Sequence, residues 1–358
     1  MTSTAPAAYA EFEAEVIPGL EAVAIDELRR HSQSRIRQTR PGFLRFWLAG
    51  DESTLASLRA VIAIYRIHNF AIPRPKALLG HEHFTRLLGI LRAAAKRFGA
   101  PPQSMGIAAA GSQTAVMQRL RQETSQALGL PLADDGKGEL FLRLARRVDG
   151  GGWEALVRAT ASPLSKRDYR AVDLPGALNA TVAYAMTQIE RRAERQIVVN
   201  LCSGTSTILI EHALAFPGDA LLAIDNCPDM IAIGRQHVRR ARQSRRIAHL
   251  LADARRAPLP AGCANALYAD LPFGHHLGTH ADNLALYPAL LREASRLAMA
   301  NASFVVLTHE IRLMARALRG SDWRVCSETT INLSGLHPRL FVLRKKTARI
   351  GVESDALD

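Results

Sequence analysis

The apolar residues fall into three stretches of different rhythm. Up to about residue 71 the spacing predicts a strand over 13–17, a helix over 20–31 and a strand over 43–48. A short helix near 55–59 and a strand running into Ile72 follow. Pro73-Arg74-Pro75 closes the stretch, because proline ends strands and helices alike. The second stretch opens with a helix in which Phe84, Leu87, Leu88, Leu91 and Phe98 keep helical spacing. A strand over 104–109 comes next, then Gly111-Ser112-Gln113 leads into a helix over 114–128 that carries Arg119 and Arg121. Strands over 140–144 and 153–159, joined by Asp149-Gly150-Gly151-Gly152, complete it, with Met117 and Trp153 read as core residues.

The third stretch begins with a connecting helix after Pro175-Gly176 and then alternates. Strands are predicted over 197–199, 220–224, 247–251, 266–269 and 304–308, and helices over 207–215, 228–242, 284–299 and 311–319. Two further strands, 323–333 and 340–344, end the pattern. Strand–helix alternation implies a mostly parallel sheet covered on both faces, and the last hairpin supplies an antiparallel edge.

Composition narrows the partners. The formal net charge of +13 over 358 residues favours a polyanion such as RNA or DNA, with an acidic membrane surface second. No run of about 18 apolar residues is present, so no membrane span is predicted. The first ten residues lack the basic-then-apolar order of a secretory signal, and the four scattered cysteines include no Cys-x-x-Cys pair. A cytoplasmic monomer with reduced thiols is expected, without structural zinc or a disulfide framework.

Two motifs carry chemistry. After the strand over 197–199, Asn200-Leu201-Cys202-Ser203-Gly204-Thr205-Ser206-Thr207 is a small-residue turn opening a helix. Such a turn lets the backbone approach a ligand, and the helix start offers free N–H groups to an anion. Asp225 follows Gly204 by about 20 residues, the place of an acid that meets ribose hydroxyls, with Asn226 beside it. Asp253 and Ala254, after the next strand, sit where an adenine amine would be met. No Gly-x-Gly-x-x-Gly and no Gly-Lys-Ser/Thr occur, which disfavours dinucleotide dehydrogenases and phosphate-loop NTPases and leaves S-adenosyl-L-methionine. The competing explanation is a plain tight turn, with both aspartates as helix caps.

The second motif, Asp270-Leu271-Pro272-Phe273-Gly274, follows another apolar strand. An amine on a purine ring is a weak nucleophile because its lone pair spreads into the ring. A carboxylate or amide and a backbone carbonyl, both accepting from its N–H bonds, draw that lone pair out of the plane. Asp270 and the Leu271 carbonyl suit those roles, Pro272 shapes the turn, and Phe273 would stack on the base.

With these residues in view, the chain resembles the THUMP-domain RNA methyltransferases, in the branch that makes N2-methylguanosine in tRNA. Val16-Ile17-Pro18-Gly19-Leu20-Glu21 is similar to that family's opening, and Pro163-Leu164-Ser165-Lys166-Arg167-Asp168-Tyr169-Arg170 resembles the close of its THUMP domain. Gly176-Ala177-Leu178-Asn179-Ala180 looks like the connecting helix. The run through Gly278, His280, Asn283, Leu286-Tyr287 and Leu290 follows the amine-site motif, and Gly335-Leu336-His337-Pro338-Arg339-Leu340 is similar to the terminal hairpin. The resemblance implies a ferredoxin-like domain over 1–72, a THUMP RNA-binding domain over 73–172 and a C-terminal Rossmann-like methyltransferase domain over 173–350. It also implies S-adenosyl-L-methionine as methyl donor and the tRNA acceptor stem as substrate, with 23S rRNA as the alternative. Lys166, Arg167, Tyr169 and Arg170, together with Arg119, are then expected to bind RNA.

This sequence departs from the family pattern in three places. Asn200 stands where an acid is usual, Ser206 replaces the second turn glycine, and His275 and His276 replace basic residues. Losing the charge at Asn200 would cost the cofactor's ammonium group roughly 1.5–3 kcal/mol, and Ser206 is expected to crowd the methionine end. An RNA-binding pseudoenzyme with an eroded turn is the alternative of a different class. Arg235, Arg239, Arg240, Arg242, Arg245 and Arg246 lie in a stretch without an acid between Asp229 and Asp253, which reads as a solvated helix face or an RNA contact. His275, His276, His280 and Asp282 lack a completing ligand set, so no metal is expected.

Overall fold

The computed structural model describes residues 9–31, 33–109, 113–147, 149–172, 174–189, 194–272, 280–333 and 335–346. The chain divides into two compact units, Met1–Lys166 and Arg167–Asp358.

The first unit contains β1 (Ala10–Glu15), α1 (Glu21–His31), β2 (Ser34–Arg40), β3 (Phe43–Leu48) and β4 (Ala63–Phe70). It continues with α2 (His81–Ala95), β5 (Met105–Ala109), α3 (Ala115–Leu128), β6 (Leu140–Arg146) and β7 (Trp153–Arg158). All seven strands join one sheet in the order β2-β3-β1-β4-β7-β6-β5. The first two stretches of sequence therefore share a sheet, through the antiparallel pairing of β4 with β7 from Tyr65↔Arg158 to Phe70↔Trp153. Leu87 and Leu91 of α2 and Met117 and Leu120 of α3 pack with Leu140 and Leu142 into a core on one sheet face.

On β1, Glu13 is 1% exposed and meets Arg40, Arg45 and Arg143, while Arg45 also pairs with Glu154 at 2.7 Å. A buried carboxylate is tolerable when its oxygens are met in this way. β2 lies outside the elements that the apolar pattern predicts. Its Arg35, Arg37, Gln38 and Arg40 show no apolar alternation, because it is an edge strand exposed along most of its length.

The second unit contains α4 (Ala180–Ile189), β8 (Ile197–Leu201), α5 (Thr207–Ala215), β9 (Ala220–Asp225) and α6 (Pro228–Arg240). It continues with β10 (Ile247–Leu251), β11 (Ala264–Asp270), α7 (His280–Leu297), β12 (Ala298–Thr308), α8 (Ile311–Leu318), β13 (Trp323–Thr330) and β14 (Arg339–Lys345). The strand order is β10-β9-β8-β11-β12-β14-β13. β8, β9, β10, β11 and β12 run parallel, and β14 pairs antiparallel with β12 and β13. The order reverses direction between β8 and β11. Ligands of such sheets bind at that switch point, beyond the carboxyl ends of the strands.

Side chains alternate across the sheet. Val199, Leu201, Ile224, Leu267, Ala269 and Leu271 face the core shared with Tyr287, Leu290 and Leu291 of α7. Asn200, Asp225, Tyr268 and Asp270 consequently take the opposite face. That face is covered by α5, whose His212 Nδ1 lies 3.3 Å from the Tyr268 hydroxyl. Among the described residues, no helix is long and apolar enough to cross a membrane.

Candidate active site

Parallel pairing fixes the site. Asn200 is in register with Ala223 on one side and Tyr268 on the other, so Asp225 and Asp270 both lie two residues past the Asn200 rung. With strands spaced at about 4.8 Å, the two carboxylates flank the end of β8 on one face, on the order of 10 Å apart.

The turn after β8 is held by backbone strain and by Asp225. Cys202, Gly204 and Ser206 take left-handed φ values of 57°, 50° and 65°. Such angles cost a side chain roughly 1–2 kcal/mol, which a small turn accepts only if tied down. Asp225 Oδ2 accepts from the Gly204 N–H at 2.7 Å and its Oδ1 from the Cys227 N–H at 2.9 Å, and the Ile224 carbonyl accepts from the Ser203 N–H at 2.8 Å. Asp225 thus fastens the turn, a role beyond the ribose contact expected of it. Burial, followed by the carboxylates of Asp225, Asp270 and Asp253, pushes the Cys202 thiol up to about 12, so it is an inert packing group.

Ser206 does not project into free space. Its hydroxyl lies 3.0 Å from His249 Nε2 on β10, and a Cβ placed on Gly234 of α6 would come within 2.7 Å of it. The missing side chain at Gly234 makes the room that Ser206 occupies. The expected crowding of the methionine end is thereby directed toward α6 and β10. Burial and then Arg235 hold His249 below its ordinary value, so its ring is neutral.

Four side chains at this end, three buried and Asp270 half-buried, have enclosed polar atoms without a hydrogen-bond partner: Asn200 (Oδ1 and Nδ2), Ser203 Oγ, Asp270 Oδ1 and Asn283 Oδ1. Each orphaned group costs about 1–3 kcal/mol. Their gathering where the strand order reverses fits a polar ligand. The Asn200 amide, fully buried, offers both donor and acceptor to an amino-acid end, which suits the zwitterionic tail of S-adenosyl-L-methionine. Desolvation alone raises the Asp270 carboxyl to about 7. A carboxyl with that affinity for protons, beside a cofactor-sized turn, is a candidate for acid–base work.

The flanks of the amine-site motif are tied to the end of β12. Asn283 Nδ2 donates to the Pro272 carbonyl at 3.2 Å, and the Tyr287 hydroxyl reaches the same carbonyl at 3.5 Å. Tyr287 also bonds Thr308 Oγ1 at 2.7 Å, Thr308 Oγ1 accepts from the Glu310 N–H at 3.0 Å, and Glu310 Oε1 meets His280 Nδ1 at 2.8 Å. Leu271 is anchored by its N–H to the Leu307 carbonyl at 3.0 Å. Sequence reasoning gave Asn283 and Tyr287 no role, because Asn283 sits 11 residues from its partner and only the start of α7 brings it back. Phe273, Gly274, His275, His276 and Gly278 lie outside the described residues.

Other expected residues are placed differently. Asp253 is drawn to Arg255 in a pair at 2.7 Å, and this hydrogen bonding, ahead of the opposing desolvation, lowers its carboxyl. Asn226 is exposed, and Thr207 and Ala254 are buried. Arg167 and Tyr169, expected at an RNA surface, turn inward: the Arg167 Nε and the Tyr169 hydroxyl both donate to buried Glu211 Oε1, at 3.0 and 2.7 Å. Arg170 donates to the Leu178 carbonyl at 2.9 Å. Lys166 is exposed, and Arg119 is exposed in a helical pair with Glu123.

A parallel sheet with this switch point, an acid at the end of its second strand and a proline-bearing loop after the strand across the switch define a Rossmann-type methyltransferase domain. Comparison with known proteins agrees. Residues 167–339 match the family described as RMKL-like, methyltransferase domain. Over 194 residues, 48% of this chain, it is 29% identical to tRNA (guanine(6)-N(2))-methyltransferase THUMP3 of Bos taurus, and over 192 residues, 47% of this chain, 30% identical to that of Homo sapiens. These matches span 37% and 36% of the two relatives, little more than a third of each. Among solved structures, TrmN from Thermus thermophilus superposes with a TM-score of 0.72 at 23% identity, covering 94% of this chain and 99% of its own. SMU.472, solved in complex with SAH, gives 0.66 at 16% identity, covering 96% and 99%.

Proposed function

We propose that this protein transfers a methyl group from S-adenosyl-L-methionine to the exocyclic N2 amine of a guanosine in RNA, in the acceptor stem of tRNA. The observation that carries the reading is the shared face of Asp225 and Asp270 on either side of Asn200, with unsatisfied polar atoms gathered there. The names of the relatives point to the same amine of the same base in tRNA.

Bound at the turn, S-adenosyl-L-methionine supplies an electrophilic methyl on sulfur. The chain's residues do the rest. Asp225 both fastens the turn and offers its remaining lone pairs to the ribose hydroxyls, and Asn200 receives the amino-acid end. Asp270 and the Leu271 carbonyl accept the two N–H bonds of the guanine amine and hold its lone pair out of the ring plane. Asp270, raised to about 7, then takes the proton that the methylated nitrogen sheds. Asn283 and Tyr287 keep the Pro272 carbonyl, and so the loop, in register with the strand end. Phe273 stacks on the extruded base. In this reading residues 1–72 form a ferredoxin-like domain and 73–172 a THUMP domain that hold the RNA, with Lys166, Arg170 and Arg119 at the phosphates.

Mass-spectrometric mapping of modified nucleosides after incubation with S-adenosyl-L-methionine and total RNA tests the assignment. N2-methylguanosine in tRNA is the expected product; its appearance only in 23S rRNA moves the substrate. Absence of methylation together with absence of heat on titrating millimolar S-adenosyl-L-methionine identifies an RNA-binding pseudoenzyme instead.

A further inference from the structure

The arginine run after β9 separates into two kinds of residue once folded. Arg246 turns inward: its guanidinium caps the end of α5 through the carbonyls of Ala213, Phe216 and Asp219. Arg235, Arg239, Arg240, Arg242 and Arg245 are exposed, and no hydrogen bond or ion pair joins their guanidinium groups to any described residue. Some exposed arginines of this chain have acid partners, as in Arg37–Glu11 and Arg119–Glu123. The stretch from α6 to the end of β10 holds no acid between Asp229 and Asp253 that could neutralise the other five.

Arg235 and Arg239 follow i, i+4 spacing on α6 beside the buried side formed by Ile231, Gly234, His237 and Val238, and Arg242 follows in the turn just past the helix end, where its φ is 58°. Arg256 is exposed in the loop after β10, at the carboxyl ends of the strands, and acts on the carboxylates of Asp253 and Glu293. Unneutralised guanidinium groups gathered along a helix and the turn that ends it match a phosphate backbone in charge. This basic surface carries no aromatic or large apolar side chain, so a membrane surface lacks the anchor it requires.

We propose that Arg235, Arg239 and Arg242, on α6 and the turn that ends it, form a contact track for the phosphate backbone of the RNA substrate, which lets the methyltransferase unit hold RNA with its own surface. This rests on the function proposed above. The test is the full-length chain carrying Arg235→Gln, Arg239→Gln and Arg242→Gln together. Binding of unmodified tRNA is measured across a series of salt concentrations, beside calorimetry with S-adenosyl-L-methionine.

The expected result is at least a ten-fold loss of tRNA affinity at about 100 mM salt and a log–log salt slope shallower by about 2 to 3, with cofactor affinity unchanged. The triple Lys variant should restore both. Wild-type affinity and slope in the Gln variant would overturn the track, as would loss of binding to phosphatidylserine vesicles with tRNA binding intact. A wild-type chain that binds tRNA along the track but forms no N2-methylguanosine would instead refute the proposed reaction and leave the track standing.

Discussion

Glu13 in the first unit, buried, and Asp270 in the second, half-buried with one oxygen enclosed, are both carboxylates at sheet positions, and they are treated in opposite ways. Three arginines surround Glu13, whereas Asp270 keeps an oxygen without any partner and is pushed up to about 7 by burial alone. Glu211 repeats the first arrangement inside the second unit, with Arg167 and Tyr169 on one oxygen. A carboxylate that serves the fold is neutralised by its neighbours. One left raw at a strand end is held ready for something the fold does not contain.

That contrast can be broken most sharply at the two acids of the second unit. Asp270→Ala should lower turnover by about 10²–10⁴ while tRNA affinity stays within two-fold, measured by single-turnover methylation and filter binding. Arg167→Ala removes the cation that meets buried Glu211 and should cost about 3–5 kcal/mol in urea unfolding.

Asp270→Asn should do the reverse and stabilise the fold. A carboxyl whose folded value lies above its unfolded value contributes least when it must ionise, so the gain is on the order of 2–4 kcal/mol at pH 8 and vanishes near pH 4. The same titration shapes activity: kcat/KM should fall as pH drops through about 7, and the acid limb should flatten in Asp270→Asn. Tyr287→Phe, which loosens the Pro272 carbonyl, should lower kcat several-fold with the KM for S-adenosyl-L-methionine unchanged, at a stability cost of about 1 kcal/mol.

The sequence pattern revealed the alternation of the second unit because each strand there is an apolar run and each helix keeps its own period. It singled out Asp225 and Asp270 as candidates because both lie at the ends of such runs. β2 stayed hidden, since Arg35, Arg37 and Arg40 face solvent and leave no apolar trace. Lys166-Arg167-Asp168-Tyr169-Arg170 read as an RNA grip because basic and aromatic residues together suggest one. The counter-signal was a lone acid, Glu211, in the otherwise apolar helix Thr207–Ala215, which had to find a cation somewhere. Only folding shows that the cation is Arg167. The compensation between Ser206 and Gly234 is equally invisible in one dimension, as the two are joined by the packing of α6 against the turn.

The most direct measurement is a crystal structure with S-adenosylhomocysteine. The account predicts ribose hydroxyls on Asp225, the amino-acid end at Asn200 and the sulfur facing the Asp270 carboxylate. An adenosine bound elsewhere, or a sulfur turned toward the face that α7 covers, would contradict it.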